Sequence, residues 1–288
     1  MRKKSASRAS AVFALALAAI IGSPAALAQE VVHFPSLDEP HTMLDGYLFR
    51  AQGNGPHPAI VGLHGCSGMF LPSGAIFPSQ FAWAYLFSQR GWTTLLVDSL
   101  GPRHHGEMCS TTGFDLGIYR ARPKDAYGAL VWLQARPDIR RDKIGVLGWS
   151  QGGGVVLTSI GEPNRLGWSP PDFRAAVAFY PGACRNDRQP AGWTTHIPLL
   201  VLQGEADVWT PAEPCKAFVD GAVARGATAE IVLYPGAYHA FDSPNVPRRE
   251  LPAYRTRAGV VPIIATDPAA RADAQQRVPA FFARYLTD

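Results

Sequence analysis

The sequence has few cysteines, and none of them stand in the C-x-x-C spacing of a structural zinc site. Its four cysteines, Cys66, Cys109, Cys184 and Cys215, are far apart in the chain. Structural zinc sites usually take their ligands from closely spaced pairs. The sequence therefore predicts no metal site. Four cysteines still allow three complete disulfide pairings, so this count alone leaves the pairing open.

Long hydrophobic runs are missing beyond the first residues. Four basic residues among the first eight precede an apolar stretch at 11–22. This stretch is shorter than the apolar segment that a transmembrane helix usually needs. The tripeptide Ala-Leu-Ala at 26–28 then matches a cleavage site for signal peptidase. We expect residues 1–28 to be a cleavable signal peptide and residues 29–288 to form a single domain. The mature protein is then expected to be periplasmic or secreted, with no membrane association.

An excess of charge is also missing from the expected mature chain. The full sequence has 27 lysines and arginines against 23 acidic residues, and the surplus of four lies entirely in the leader. Because the remaining chain is formally neutral, its charge gives no reason to expect a nucleic-acid partner. Hydrophobic residues make up 47% of the sequence, as is ordinary for a globular protein with a sizeable core.

Short apolar runs alternate with amphipathic stretches, which is typical of an α/β fold with a mostly parallel central sheet and helices on both faces. The predicted strands are 59–63, 93–98, 143–147, 175–180, 199–204 and 229–234, with 31–34 and 43–50 as an antiparallel edge. The predicted helices are 80–90, 123–136, 211–225, 269–285 and one directly after residue 150. The proline- and arginine-rich segment 242–266 is expected to be mostly irregular surface loop.

The pentapeptide Gly148-Trp149-Ser150-Gln151-Gly152 is the most informative motif. It follows an apolar run and precedes a stretch of small residues, and strand, G-x-S-x-G, helix is the context of a nucleophile elbow. A serine hydroxyl becomes an effective nucleophile when it is held exposed on a tight turn beside a base. The sequence therefore predicts Ser150 as a catalytic nucleophile.

An acid and a histidine should follow such a serine in that order, each just past a strand. Asp207 and His239 follow two successive predicted strands, at the sheet edge where open α/β folds bind ligands. We expect His239 to take the proton of Ser150 and return it to the leaving group, while Asp207 fixes the tautomer of the imidazole. Glu205 is the alternative acid, ranked lower because Asp207 lies further past the strand.

Acyl transfer also needs donors for a developing oxyanion. The backbone N–H of Gln151, directly after the nucleophile, is one expected donor, and the backbone N–H of Cys66, in the loop after an earlier strand, is the other. His64 lies in the same loop, and we expect it to order that loop by hydrogen bonding.

Two further groups of residues lie near the predicted site. Trp149, Trp209, Tyr238 and Phe70 flank the catalytic positions and are expected to line an apolar acyl or alcohol pocket, although packing in the core or at the rim is an equal alternative for each.

The second group, His104, His105 and Glu107, combines possible metal ligands. Because their spacing matches no zinc pattern, we expect a polar loop near the pocket.

These motifs resemble the dienelactone hydrolase family within the α/β-hydrolase fold. The resemblance covers most of the mature chain and rests on the segments 64–66, 98–99, 144–153, 203–207 and 238–241 and on the helix around Asp125. It implies a Ser/Cys–Asp–His hydrolase that acts on small-molecule esters or lactones without a cofactor. The namesake enzymes carry cysteine where this chain has Ser150, so serine favours a general carboxylic-ester hydrolase.

The fold that the resemblance implies also selects a cysteine pairing. It places Cys66 and Cys109 in loops after consecutive strands. Cys184 lies beyond the predicted strand 175–180, and Cys215 lies just beyond the next strand, 199–204. Loops that leave neighbouring strands at one edge come within disulfide reach. The resemblance therefore implies disulfides Cys66–Cys109 and Cys184–Cys215.

Two other functions remain as alternatives: a serine peptidase of the same fold, and a non-catalytic binding protein that keeps the hydrolase fold. The sequence selects no oligomeric state.

Overall fold

A computed structural model describes residues 29–161, 168 and 171–287 of the chain. Its main feature is an eight-stranded sheet, and the strands coincide with the short apolar runs of the sequence. In chain order the strands are β1 Glu30–Pro35, β2 Met43–Phe49, β3 His57–Leu63, β4 Thr93–Asp98, β5 Ile139–Trp149, β6 Ala176–Phe179, β7 Leu199–Gly204 and β8 Ala229–Tyr234. The expected signal peptide, residues 1–28, lies outside the described residues.

The sheet is mostly parallel, as predicted. Its strand order is β1-β2-β4-β3-β5-β6-β7-β8. Strands β3 to β8 run parallel to one another, while β1 pairs with β2 and β2 with β4 in antiparallel fashion. The carboxyl ends of β3, β5, β7 and β8 therefore meet at one edge of the sheet, where the loops with the predicted site residues begin.

Helices cover both faces of the sheet. In the described part of the chain the α-helices are α1 Pro78–Ser88, α2 Leu116–Gln134, α3 Gln151–Ile160, α4 Ala212–Ala224 and α5 Pro268–Leu286. Buried side chains of α2, α3 and α4 share one apolar cluster with the sheet, and those of α1 and α5 share the other. Alternate residues of β3 enter the two clusters, since successive side chains of a strand point to opposite faces. The α/β-hydrolase architecture with helices on both faces is confirmed. Within the described ranges, no helix is both long and apolar enough to cross a membrane.

Two predicted elements differ from the structure. Helix α2 begins at Leu116 rather than Pro123, because the Asp115 side chain accepts a hydrogen bond from the N–H of Ile118 at 2.9 Å and caps the helix there. Pro123 is consequently buried inside the helix. Strand β5 is also longer than predicted at both ends, since its pairing with β3 and β6 extends beyond the apolar run.

The segment 242–266 is mostly irregular and largely exposed, as expected, with some local order and burial. It contains a short antiparallel pair, β9 Arg249–Glu250 with β10 Ile263–Ile264, and a 3₁₀ turn at Pro252–Tyr254. Its first residue, Asp242, is 1% exposed. Proline content indicated a loop correctly in part, but long-range contacts determine the burial of Asp242.

Candidate active site

Ser150 lies on a tight turn between β5 and α3. Its φ of 54° and ψ of −116° fall outside the regions that residues with a Cβ commonly adopt. Its N–H donates to the carbonyl oxygen of Phe179 at 2.9 Å, which ties the turn to the neighbouring strand. A Cβ on Gly152 would lie 2.1 Å from the carbonyl oxygen of Leu63, so only glycine allows this close approach. The turn therefore has the shape of a nucleophile elbow.

Asp207 and His239 form a buried, hydrogen-bonded pair. Asp207 Oδ2 lies 2.7 Å from His239 Nδ1, and each residue is 3% exposed. Asp207 Oδ1 accepts from the N–H groups of Trp209 and Thr210 at 2.8 and 3.0 Å, and the Thr210 hydroxyl donates to Oδ2 at 2.7 Å. Glu205, the alternative acid, is exposed. The structure thus brings His239 to Asp207.

The surroundings of Asp207 favour its ionised form. Burial acts to raise the pKa of Asp207, but the charge of protonated His239 and the hydrogen bonds from His239 and Thr210 outweigh it and hold the pKa below its ordinary value. A carboxylate at Nδ1 places the proton of a neutral imidazole there and leaves the lone pair on Nε2.

Two aromatic rings hold the imidazole of His239. The ring centroid of Tyr180 lies 4.4 Å from that of His239, and the ring of Trp209 lies 4.9 Å from it. Among the described residues, no hydrogen bond within 3.5 Å joins the Ser150 hydroxyl to His239. Catalytic hydrogen bonds are often long or poorly aligned before substrate binds.

Both expected oxyanion donors border the cavity in front of Ser150. Gln151 is the first residue of α3, so its N–H has no partner within the helix. In the described part of the chain, neither the N–H of Gln151 nor the N–H of Cys66 donates a hydrogen bond to a backbone carbonyl oxygen of a loop or turn. The positive end of the α3 dipole adds to the potential that favours an anion at this point.

His64 orders the loop before Cys66, as the sequence suggested. Its Nδ1 lies 2.7 Å from the carbonyl oxygen of Gly65, and the N–H of Ser99 donates to its Nε2 at 3.1 Å. Because Nε2 accepts, Nδ1 carries the proton and donates to Gly65. Burial, followed by the positive charge of Arg122, lowers the pKa of His64 well below its ordinary value, so the ring is neutral.

A cavity of about 940 Å³ opens in front of Ser150. Cys66, Ser150, Gln151, Trp209 and Thr210 lie along its wall. Further lining residues include apolar, aromatic and basic side chains: Met108, Phe114, Leu116, Tyr119, Arg185, Arg188 and Arg257. The cavity therefore combines the elbow with the loop that holds Asp207.

Of the four aromatic residues predicted to line a pocket, only Trp209 borders this cavity among the described residues. Trp149 is 4% exposed and stacks on Phe179, because strand alternation directs its side chain into the core behind Ser150. Phe70 packs against Tyr47 at 5.1 Å between ring centroids. The ring of Tyr238 lies under a guanidinium, 5.1 Å from Arg248 Cζ. These three residues follow the alternative of packing in the core or at the rim, since closeness in sequence does not fix the direction of a side chain.

The loop with His104, His105 and Glu107 is held by its own hydrogen bonds. Glu107 accepts from the N–H and hydroxyl of Ser110 and from the N–H of Cys109. Burial acts to raise the pKa of Glu107, but these hydrogen bonds outweigh it and lower the pKa. His105 Nε2 lies 2.7 Å from the carbonyl oxygen of Gly113, so these side chains shape the loop that borders the cavity.

Two disulfides join segments at the edge of the sheet where the carboxyl ends of the parallel strands meet. Cys66 is bonded to Cys109, with 4.9 Å between their Cα atoms, and Cys184 to Cys215, with 4.7 Å. The first joins the loop of the oxyanion donor to the loop after β4. The second joins the segment after β6 to the first turn of α4, near Asp207. This is the pairing that the family resemblance implied.

Sequence reasoning missed two buried charged residues beside the site. Asp242 accepts hydrogen bonds from the indole N–H of Trp83 and Trp149 and from the hydroxyl of Tyr180. Arg122 is fully buried and contacts the oxyanion segments. Asp242 follows His239 by three residues, which is the one local signal that could have drawn attention to it.

Known proteins similar to this chain share its fold. A Bradyrhizobium protein named "probable 2-oxo-3-(5-oxofuran-2-ylidene)propanoate lactonase" is 23% identical over 210 residues, which cover 68% of this chain and 77% of that protein. A promiscuous, dienelactone hydrolase-like phosphotriesterase from metagenomic libraries is 20% identical, with a TM-score of 0.62 and coverage of 90% of this chain and 99% of that one. A Thermogutta terrifontis esterase solved with propionate is 18% identical, with a TM-score of 0.58 and coverage of 89% and 94%.

The family itself is decided by a match to a family sequence model. The sequence model of the dienelactone hydrolase family matches residues 117–286. This range is more than half of the chain and includes the elbow, the Asp207 loop and the His239 loop. The protein therefore belongs to the dienelactone hydrolase family.

Proposed function

We propose that this protein is an exported serine hydrolase that cleaves small carboxylic esters or lactones through an acyl-enzyme intermediate. The observation that carries the proposal is the buried Asp207–His239 pair, 2.7 Å apart, beside the cavity into which the Ser150 turn opens. Membership of a hydrolase family supports hydrolysis as the reaction.

Acylation begins with proton transfer. His239 Nε2 accepts the proton of the Ser150 hydroxyl while Oγ forms a bond to the carbonyl carbon of the substrate. The carbonyl π electrons move to oxygen, and the N–H groups of Gln151 and Cys66 stabilise this oxyanion. Asp207 stabilises the imidazolium. When the oxyanion collapses, the bond to the alcohol oxygen breaks and His239 returns the proton to that oxygen.

Deacylation repeats these steps with water. His239 accepts a proton from water, whose oxygen attacks the acyl carbon, and the same N–H groups stabilise the second oxyanion. Collapse releases the carboxylic acid and returns the proton to Ser150 Oγ. A lactone follows the same path, except that its alcohol group stays attached to the acyl chain, so that deacylation releases a hydroxy acid.

The cavity favours a substrate that carries a negative charge beside an apolar group. Arg185, Arg188 and Arg257 border the cavity, and no described lining residue is acidic. Arg185 is paired with Asp187, which leaves Arg188 and Arg257 as the cations to bind a substrate anion. The lactonase relative is named for a propanoate, which is an anion.

A pair of p-nitrophenyl esters tests this preference: the butyrate, and the glutarate monoester with its free carboxylate. Replacing both Arg188 and Arg257 with alanine should lower kcat/KM for the anionic ester about three- to tenfold and leave the neutral ester unchanged, as is usual for exposed ion pairs. Arg141→Ala is the control, because Arg141 is exposed near the start of β5, at the opposite edge of the sheet. Equal effects on both esters would contradict the charge preference.

A peptidase is the second candidate function. An uncharacterized peptidase of Bacillus subtilis is 22% identical over 242 residues, although the matched region is only 36% of that protein. Peptide p-nitroanilides, assayed beside the p-nitrophenyl esters, separate the two activities. Faster cleavage of the anilides would favour the peptidase, and no cleavage of either substrate would favour a binding protein.

Export is supported by the two disulfides, because disulfides persist in oxidising compartments and are rare in the reducing cytosol. N-terminal sequencing of the protein from a cell expressing the full chain tests it. We expect the mature protein to begin at Gln29.

A further inference from the structure

Arg122 is an arginine with no exposed surface, and it lies behind the catalytic edge of the sheet. It belongs to α2, and its guanidinium reaches two other segments. Nη1 donates to the side-chain oxygen of Gln151 at 2.6 Å, and Nη2 donates to the carbonyl oxygen of His64 at 2.5 Å. Its Nε has no hydrogen-bond partner.

These two contacts join the segments that provide both expected oxyanion donors. Gln151 supplies one N–H from the first turn of α3. His64 lies two residues before Cys66, which supplies the other N–H from the loop after β3. The two segments leave different strands, so the spacing between the donors depends on whatever links them. Arg122 makes this link from behind, through one rigid planar group.

The charge of Arg122 is not neutralised by a contact ion pair. Within the described residues, no carboxylate lies within 4.0 Å of its guanidinium. The nearby Asp125 instead accepts two hydrogen bonds from Arg103, at 2.9 and 2.8 Å. Burial lowers the pKa of Arg122 to about 10, with the negative charge of Asp125 acting in the opposite direction, so the group is a cation at neutral pH.

A buried, unpaired cation is unfavourable in the resting protein. Negative charge that develops nearby during a reaction offsets that penalty, and it does so only in the transition state. The site described above develops such a charge at the oxyanion, next to the two segments that Arg122 holds.

We propose that Arg122 is a positioning residue for the oxyanion site: it sets the spacing of the Gln151 and Cys66 donors and adds positive potential that stabilises the transition state more than the bound substrate. This inference rests on the proposed function, because it requires an oxyanion at those donors.

The test compares kinetics with the binding of a transition-state analogue. Arg122→Met is expected to lower kcat about 10²-fold, similar to the loss of one oxyanion donor, with KM nearly unchanged. The inhibition constant of a trifluoromethyl ketone, which forms a tetrahedral adduct with the serine, should rise in parallel. Arg122→Lys keeps the charge without the double contact, so we expect an intermediate loss, and it carries the same comparison if Arg122→Met does not fold.

Arg225→Met is the control, since Arg225 also uses its guanidinium to hold a backbone carbonyl, that of Trp193 at 2.9 Å, but contacts neither oxyanion segment. It should lower the melting temperature and leave the affinity for the ketone unchanged. A folded Arg122 variant with wild-type kcat and wild-type ketone affinity would overturn the inference. If Ser150→Ala remains active, the proposed function itself fails; if Ser150→Ala is inactive while Arg122 variants behave as wild type, only this inference fails.

Discussion

The hydroxyl of Tyr180 donates a hydrogen bond to Oδ1 of Asp242 at 2.6 Å, and the ring of the same tyrosine lies against the imidazole of His239. Oδ2 of Asp242 accepts from the indole N–H groups of Trp83 and Trp149, at 2.8 and 3.0 Å. Burial raises the pKa of Asp242, even though these three hydrogen bonds act in the opposite direction. The buried carboxylate of Asp242 thus links Trp149, which directly precedes Ser150, to Tyr180, whose ring lies against His239.

Replacing Asp242 with alanine should strongly destabilise the protein. The change leaves three buried donors without an acceptor, at about 1–3 kcal/mol each, so we expect the free energy of unfolding to fall by about 3 kcal/mol or more. Asp242→Asn should be milder, since its amide oxygen still accepts from the indoles. Urea denaturation measures both.

Asp273→Ala is the control for this prediction. Asp273 also accepts a hydrogen bond from a tyrosine, Tyr234, at 2.7 Å, but its side chain is 41% exposed. Water can replace the lost partner there, so we expect a loss of about 1 kcal/mol or less. Equal losses for Asp242→Ala and Asp273→Ala would show that the buried network is not the source of stability.

The two disulfides should differ in their effect on catalysis. The bond between Cys66 and Cys109 holds one of the two expected oxyanion donors, while the bond between Cys184 and Cys215 joins the segment after β6 to α4. Replacing either pair with serine should lower the free energy of unfolding by about 2–4 kcal/mol. The Cys66/Cys109 double variant should also lose more kcat than the Cys184/Cys215 double variant. Matched melting curves and ester kinetics check this, and an equal loss of kcat in both double variants would contradict it.

Asp207 should make stability depend on acidity. Its native pKa lies below the ordinary value of 3.8, so the unfolded state binds more protons as the pH falls and stability declines. The contribution is complete above the unfolded pKa and disappears as the pH drops through the lower native pKa. The stability difference between wild type and Asp207→Asn should therefore shrink as the pH falls below about 4. Urea unfolding across this range measures it; a difference that grows on acidification would contradict the assignment.

The sequence predicted which residues lie at the candidate site where local order decides it. Ser150 lies in a motif of five residues, and Asp207 and His239 each follow a strand that its apolar run identifies. Because parallel strands end at one edge, chain order alone was enough to bring these loops together. The start of α2 was missed, since the cap at Asp115 decided it rather than hydrophobic spacing.

Contacts between distant segments could not be predicted in this way. Arg122 reaches Gln151, 29 residues away, and Asp242 reaches Trp83, 159 residues away. Neither partner is specified by a local pattern. Of the two alternatives for Trp149, pocket lining and core packing, the structure shows the second: it adjoins Ser150 in sequence, but strand geometry turns its side chain to the core.

Covalent labelling of Ser150 tests the central claim most directly. Intact-mass measurement and peptide mapping after treatment with a fluorophosphonate should show one adduct per chain, on Ser150. The folded Ser150→Ala variant should take no label and lose about 10⁶-fold in kcat for ester hydrolysis, as for removal of a triad nucleophile. An adduct on a different residue, or a folded Ser150→Ala variant with activity within about tenfold of wild type, would contradict the account.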